Sequence, residues 1–148
     1  MADSPNSTET SVRCRAEQTE VTLRSRTVLL DFTGECRLRE DGDAVRLTGL
    51  RLSAELPDAG GPEDGGTVVL EQEGESGTEG REVTVLFTAS VRQPGGQVRL
   101  TTEDRARWTV STGPRFEPAG DEVRLVLAEA PDTVVLSVRG LALRVDNA

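Results

Sequence analysis

The stretch from Val28 to Leu56 reads VLLDFTGECRLREDGDAVRLTGLRLSAEL, and its reading decides the fold. On either side of Asp41-Gly42, apolar side chains recur at every second position, the pattern of a strand with one buried face. Asp-Gly suits the two positive φ angles of a tight type I′ turn. Folding the chain there predicts that Leu38 faces Val45, Cys36 faces Leu47 and Gly34 faces Gly49. Past Gly49 the apolar parity switches. One extra residue at Gly49-Leu50 restores it, so that Phe32 meets Leu52, Leu30 meets Ala54 and Val28 meets Leu56. The expected element is a hairpin with a β-bulge built in.

A strand of about twelve residues extends ~40 Å if straight, too long for a flat sheet in a domain of this size. Such strands must coil. A Gly34/Gly49 pair beside a bulge removes side chains where the sheet bends, as at the corners of small barrels, and closure abolishes exposed edges. The expectation is an all-β chain forming a single antiparallel β-barrel of about eight to nine strands. A two-sheet β-sandwich is the alternative.

Outward from this hairpin, residues 1–10 are polar and without period, a disordered tail, and 11–148 form one β-barrel domain. Val12-Cys14-Ala16 and Val21-Leu23 are short alternating segments before the hairpin. After it, Pro57 to Gly66 reads as a loop, Thr67 to Glu71 as a short strand, and Gly74 to Gly80 as an acidic flexible connection. Val83 to Val91 turns through Gln93-Pro94-Gly95-Gly96, so that Val91 opposes Val98, Ala89 opposes Leu100 and Phe87 opposes Thr102. Ala106, Trp108 and Val110 mark another strand, followed by a loop with Gly113-Pro114 and Pro118-Ala119-Gly120. The last hairpin, around Pro131-Asp132, pairs Leu127 with Leu136, Leu125 with Val138 and Val123 with Gly140. LREDGDAVRL (38–47) and LAEAPDTVVL (127–136) echo each other, and each precedes a glycine where the parity switches: Gly49 and Gly140.

His, Lys, Tyr and Ile are absent from the 148 residues and every basic residue is Arg, the usage of a GC-rich bacterial genome. These absences exclude Ser-His-Asp and Cys-His nucleophile systems, Schiff bases and His-ligated metal centres. No cofactor is expected. A net charge of -9 repels phosphate polymers and anionic lipid, so neither nucleic acid nor a membrane is an expected partner. No apolar run approaches the ~20 residues of a membrane span, and MADSPNSTET has no signal core, which points to a cytoplasmic protein with Cys14 and Cys36 as free thiols.

Phe32, Phe87 and Trp108 are expected to point inward with Cys36 and Thr102, either as a packed core or as the lining of an apolar cavity for a hydrophobic small molecule. A buried indole needs a partner for its N–H, which a cavity mouth provides. Arg105 and Arg107 flank Trp108 and point outward, as rim groups for a carboxylate or as surface partners of acidic neighbours. Glu40, Asp41 and Asp43 lack the ligand spacing of a calcium loop, and the acidic runs Glu63-Asp64 and Glu71-Gln72-Glu73 read as solvated loops, so no metal is expected. Leu29, Leu86 and Val135 sit on the polar sides of their strands, where they offer a protein contact or a homodimer face.

From Val21 to Val145, and chiefly in LLDFTGECRLREDGDAVRLTGLRLSAEL and VRLVLAEAPDTVVLSVRGLALRVD, the chain resembles the small bacterial β-barrel cyclases of polyketide biosynthesis, such as spirotetronate-forming cyclases. The resemblance implies a ligand-binding barrel that folds a hydrophobic polyketide-type substrate for ring closure. Thr102 or a rim Arg would then hydrogen-bond a substrate carbonyl, and Phe32, Phe87 and Trp108 would shape the cavity. Two other functions stay open: a non-catalytic protein-interaction module and a carrier of a hydrophobic metabolite.

Overall fold

The computed structural model describes residues 9–23, 26–41, 44–56, 65–79, 81–94, 96–102, 105–111, 115–119 and 122–146. These residues are all β, with no helix, and hence none long and apolar enough to cross a membrane. The strands are β1 (Glu9–Leu23), β2 (Arg26–Asp41), β3 (Ala44–Glu55), β4 (Thr67–Glu79), β5 (Glu82–Gln93), β6 (Gly96–Thr101), β7 (Ala106–Ser111), β8 (Arg115–Pro118), β9 (Glu122–Leu127), β10 (Ala130–Arg139) and β11 (Leu143–Asp146).

They form a single 11-stranded antiparallel sheet in the order β10-β9-β6-β5-β4-β3-β2-β1-β11-β8-β7, with β10 also paired to β1 and β7 to β5. The β10–β1 pairing closes a barrel-like ring of 8 strands. The two extra pairings have a further consequence. Both β1 and β5 fork, so three arcs of strands connect them: β2-β3-β4, β10-β9-β6 and β11-β8-β7. The first arc is built of long strands. The other two arcs take different stretches of the same partners, since β10 meets residues 20–23 of β1 and β11 meets 13–15, while β6 meets 88–93 of β5 and β7 meets 82–85. One side of the ring is therefore a split wall.

The long strands coil by bulges. The β2–β3 ladder steps from Arg37↔Thr48 to Glu35↔Arg51, placing the extra residue at Gly49-Leu50, and Gly49 takes φ +61°. The register differs from the expected one by two residues: Leu38 pairs with Leu47, Leu52 with Gly34, and Asp41 with Ala44. The Asp41-Gly42 turn includes Gly42, which lies outside the described residues. A slip of two keeps every side chain on its face, whereas a slip of one would invert them all. The core is accordingly the expected one, with Phe32, Cys36, Val45, Leu47, Leu50 and Leu52 buried. Gly34 faces Leu52 rather than Gly49, and a Cβ there would collide with the backbone carbonyl of Arg51.

Several segments correct the expectation. Val12 to Leu23 is one strand, interrupted by a bulge between Ala16 and Thr19 where Gln18 takes φ 51° and its N–H donates to Asp31 Oδ1 at 2.8 Å. β4 continues to Glu79, through most of the supposed 74–80 connection; Gly80, like residues 57–64, lies outside the described residues. Arg115–Pro118, placed in a loop, is β8, pairing with both β7 and β11. In the last hairpin Leu125 pairs with Leu136 and Val123 with Val138, again two residues from the expected register and again with the parity kept. The β5–β6 register is as expected at Val91↔Val98 and Ala89↔Leu100, but the ladder ends at Thr88↔Thr101, one step short of Phe87 and Thr102.

Candidate functional site

At the split wall the described residues flanking three chain connections meet: Arg105 before β7, Pro118 and Glu122 at the ends of β8 and β9, and Gly140 and Leu141 after β10. Trp108 lies at this seam. β7 holds it by pairing on one side with Val83 of β5 and on the other with Pro118 of β8. Its indole is 1 % exposed and stands edge-on to Phe87 at 5.9 Å and to Phe116 at 6.0 Å, arrangements that favour aromatic pairs. Gly140, at φ +69°, ends β10, and the Ala142 N–H donates to the Gly140 carbonyl at 2.9 Å. That tight turn leaves the Leu141 carbonyl as acceptor for Trp108 Nε1 at 2.7 Å. The indole N–H is thus satisfied within the protein rather than at a cavity mouth.

A cleft of about 30 Å³ lies against Trp108 at the seam, lined among others by Arg105, Arg107, Glu122, Val138 and Gly140. It has room for about one water molecule. Arg105 and Arg107 are exposed, as expected. Arg107 Nη2 bonds Glu82 Oε1 at 2.9 Å in an exposed ion pair, the acidic-neighbour alternative of the sequence reading.

The other expected cavity residues, Phe32, Cys36, Phe87 and Thr102, are all buried. The structure groups Phe87 with Trp108 and Phe116, while Phe32 and Cys36 belong to β2, opposite β7 in the ring formed by the β5–β7 pairing. Cys36 meets Cys14, sulfur to sulfur, at 3.6 Å. Their shared hydrogen bond, then burial, then the nearby charges of Cys14 and Glu35 push the Cys36 thiol far above its ordinary pKa. The remaining buried polar side chains are Thr19 and Thr102 among the described residues, and Thr19 Oγ1 donates to the Ala16 carbonyl at 3.1 Å.

Sequence reasoning missed Phe116, whose four-residue strand is hidden between two Gly/Pro turns, although Arg115-Phe116-Glu117 does alternate. It also missed a polar seal between β3 and β4. The backbone ladder there ends at Arg51↔Glu71. Beyond it, Gln72 Oε1 accepts from Leu50 N–H at 3.1 Å and Gln72 Nε2 donates to the Leu47 carbonyl at 2.7 Å. Ser76 Oγ accepts from Leu47 N–H at 3.0 Å, and Thr78 Oγ1 donates to the Val45 carbonyl at 2.8 Å. Three side chains do the work of missing backbone partners.

On the outside, two adjoining grooves of about 660 and 540 Å³ share Thr33, Ser53 and Thr67 and cross β2, β3 and β4. Leu29, 64 % exposed, borders the first. Leu86 and Val135 are half-buried, on β5 and β10, and neither strand neighbours the other or β2, so register does not join the three into one face. Asp43 and Glu63-Asp64 lie outside the described residues, while Glu71 and Glu73 are exposed on β4 rather than in a loop. No protein-family model matches this chain, and neither the curated proteins nor the solved structures searched include a significant match.

Proposed function

We propose that this protein is a non-catalytic binding module that meets another protein through its outer surface, in a cytoplasmic setting. The observation that carries the reading is the packing of the interior. A hollow lumen would leave its wall accessible to a water-sized sphere, yet Phe32 on β2, Leu70 on β4, Phe87 on β5, Trp108 on β7 and Leu136 on β10 are 0 % or 1 % exposed. The interior side chains of the described residues are apolar apart from two thiols and two threonines, which offers no carboxylate for acid–base work. The groove beside Leu29 supplies the contact surface, and a second copy of this chain is the first partner to test.

A second reading, the ligand-binding barrel that includes the cyclase and the hydrophobic carrier, is favoured by the cleft at Trp108. It requires the seam to part. One titration separates the two, because Trp108 is the single Trp in a Tyr-free chain. Linear hydrophobic polyenes added to the protein should leave its emission wavelength unchanged. A saturable shift would replace the module with the ligand barrel, and turnover of a linear precursor would then single out the cyclase. Sedimentation, comparing the wild type with Leu29→Glu, tests the outer contact: a dimer that the substitution dissolves places the contact at this groove.

A further inference from the structure

Cys14 and Cys36 stand on neighbouring strands with both side chains in the core, 1 % and 2 % exposed, and their sulfurs 3.6 Å apart. They are not directly opposite. The β1–β2 register pairs Cys14 with Gly34 and Cys36 with Val12, so the thiols meet on a diagonal. Diagonal neighbours on one face ordinarily have backbones about 7–8 Å apart, and side chains that lean toward one another can still meet across that spacing. Gly34, the residue opposite Cys14, places no side chain between the two thiols. The Arg51 carbonyl occupies the space a Cβ would need there, so the fold requires glycine at that position.

We propose that Cys14 and Cys36 are a built-in crosslinking site, which a low-molecular-weight disulfide such as glutathione disulfide converts into a bond stapling β1 to β2 within the intact ring. One cysteine, as thiolate, attacks a reagent sulfur and expels a reagent thiolate. The other then gives up its proton, attacks the protein sulfur of the mixed disulfide and expels the second reagent thiolate. The protein loses two hydrogens and two electrons, and the reagent leaves as two thiols. The sulfurs must approach by roughly 1.5 Å to reach bonding distance, through side-chain rotation together with a local shift of the β1–β2 backbone.

Access limits the rate. Both sulfurs are buried and the Cys36 thiol resists ionisation, so the reagent reaches them before β1 and β2 close or during transient opening. In a reducing compartment the pair remains two buried thiols; folding in an oxidising one makes the bond. This inference is independent of the proposed function.

The test equilibrates the full chain with glutathione redox buffers, folded and in concentrated urea, and reads thiol content and intact mass. The expected product has lost two hydrogens and carries no glutathione, and its oxidation constant is at least about tenfold larger folded than in urea, because the fold holds the sulfurs together. Cys36→Ala should show no such loss. An equal or smaller constant in the folded chain, glutathione adducts, or crosslinking between chains would overturn the proposal.

Discussion

The ring is interrupted in two places, between β3 and β4 and along the split wall, and the chain closes them with opposite chemistry. At the first, Gln72, Ser76 and Thr78 reach across and satisfy the backbone of Val45, Leu47 and Leu50 one hydrogen bond at a time. At the second, one fully buried indole fills the space between two aromatic rings and spends its single donor on Leu141. A polar seal at a half-buried edge can exchange its partners for water at modest cost. An aromatic plug cannot, because removing it leaves a void that close-packed neighbours fill only in part. The seam should therefore be the rigid interruption and the β3–β4 gap the soft one.

The largest expected effect breaks this comparison if it fails. Trp108→Ala should cost about 3–5 kcal/mol in equilibrium urea unfolding, from lost burial and the resulting cavity. Trp108→Phe retains most of the ring and should cost less, chiefly by leaving the Leu141 carbonyl without its donor. A Trp108→Ala cost no larger than that of any seal variant would mean that the seam is not held by packing.

Gln72→Ala comes next, at about 2 kcal/mol, because one side chain serves both the Leu50 N–H and the Leu47 carbonyl. Hydrogen exchange sharpens the contrast. The Leu50 amide should lose protection in this variant while amides across the β1–β2 ladder keep theirs.

How legible these regions are in the sequence follows from the period of the signal. Alternation specifies faces but not register, so both hairpins could be misplaced by two residues and still bury Leu38's neighbour Leu47, Leu125 and Leu136 as expected. The parity switches at Gly49 and Gly140 were readable because a positive φ coincides with glycine; the switch at Gln18 carries no such marker. The seal was hidden by composition. Gln72, Ser76 and Thr78 alternate with exposed Glu71, Glu73, Glu75 and Glu79, which is strand periodicity written entirely in polar residues. Hydrophobic pattern reading cannot see it. Trp108 was legible as inward-facing, but its acceptor was not, since a backbone carbonyl 33 positions away has no sequence signature.

The β1–β2 ladder gives a third point of comparison, through pH. The raised pKa of Cys36 means that the fold favours the protonated thiol. Its contribution is complete below the ordinary thiol pKa and is lost as pH rises above that value, because the unfolded chain then releases a proton that the folded chain keeps. With no Lys or Tyr in the chain, side-chain titration in that range belongs to the cysteines. Stability should fall by about 1.4 kcal/mol per pH unit above roughly pH 9, and by less in Cys36→Ala. A Cys36→Ala curve of equal slope would remove Cys36 as the cause.

The smallest effect is the sharpest probe of the soft interruption. Thr78→Val keeps shape and volume and deletes only the hydroxyl that donates to the Val45 carbonyl. Val45 is buried and the methyl that replaces the hydroxyl leaves no room for water, so the unmet acceptor should cost about 1 kcal/mol. What matters is how it combines with Gln72→Ala. Side chains acting as separate plugs give costs that add to within about 0.3–0.5 kcal/mol, whereas a strip that holds β3 and β4 together as one unit gives a larger coupling. The hydrogen bonds alternate between donor and acceptor along β3, as in a backbone ladder, and Leu47 is held by both Gln72 and Ser76. Shared anchorage of that kind predicts coupling above the additive limit, and simple additivity would reduce the seal to three independent caps.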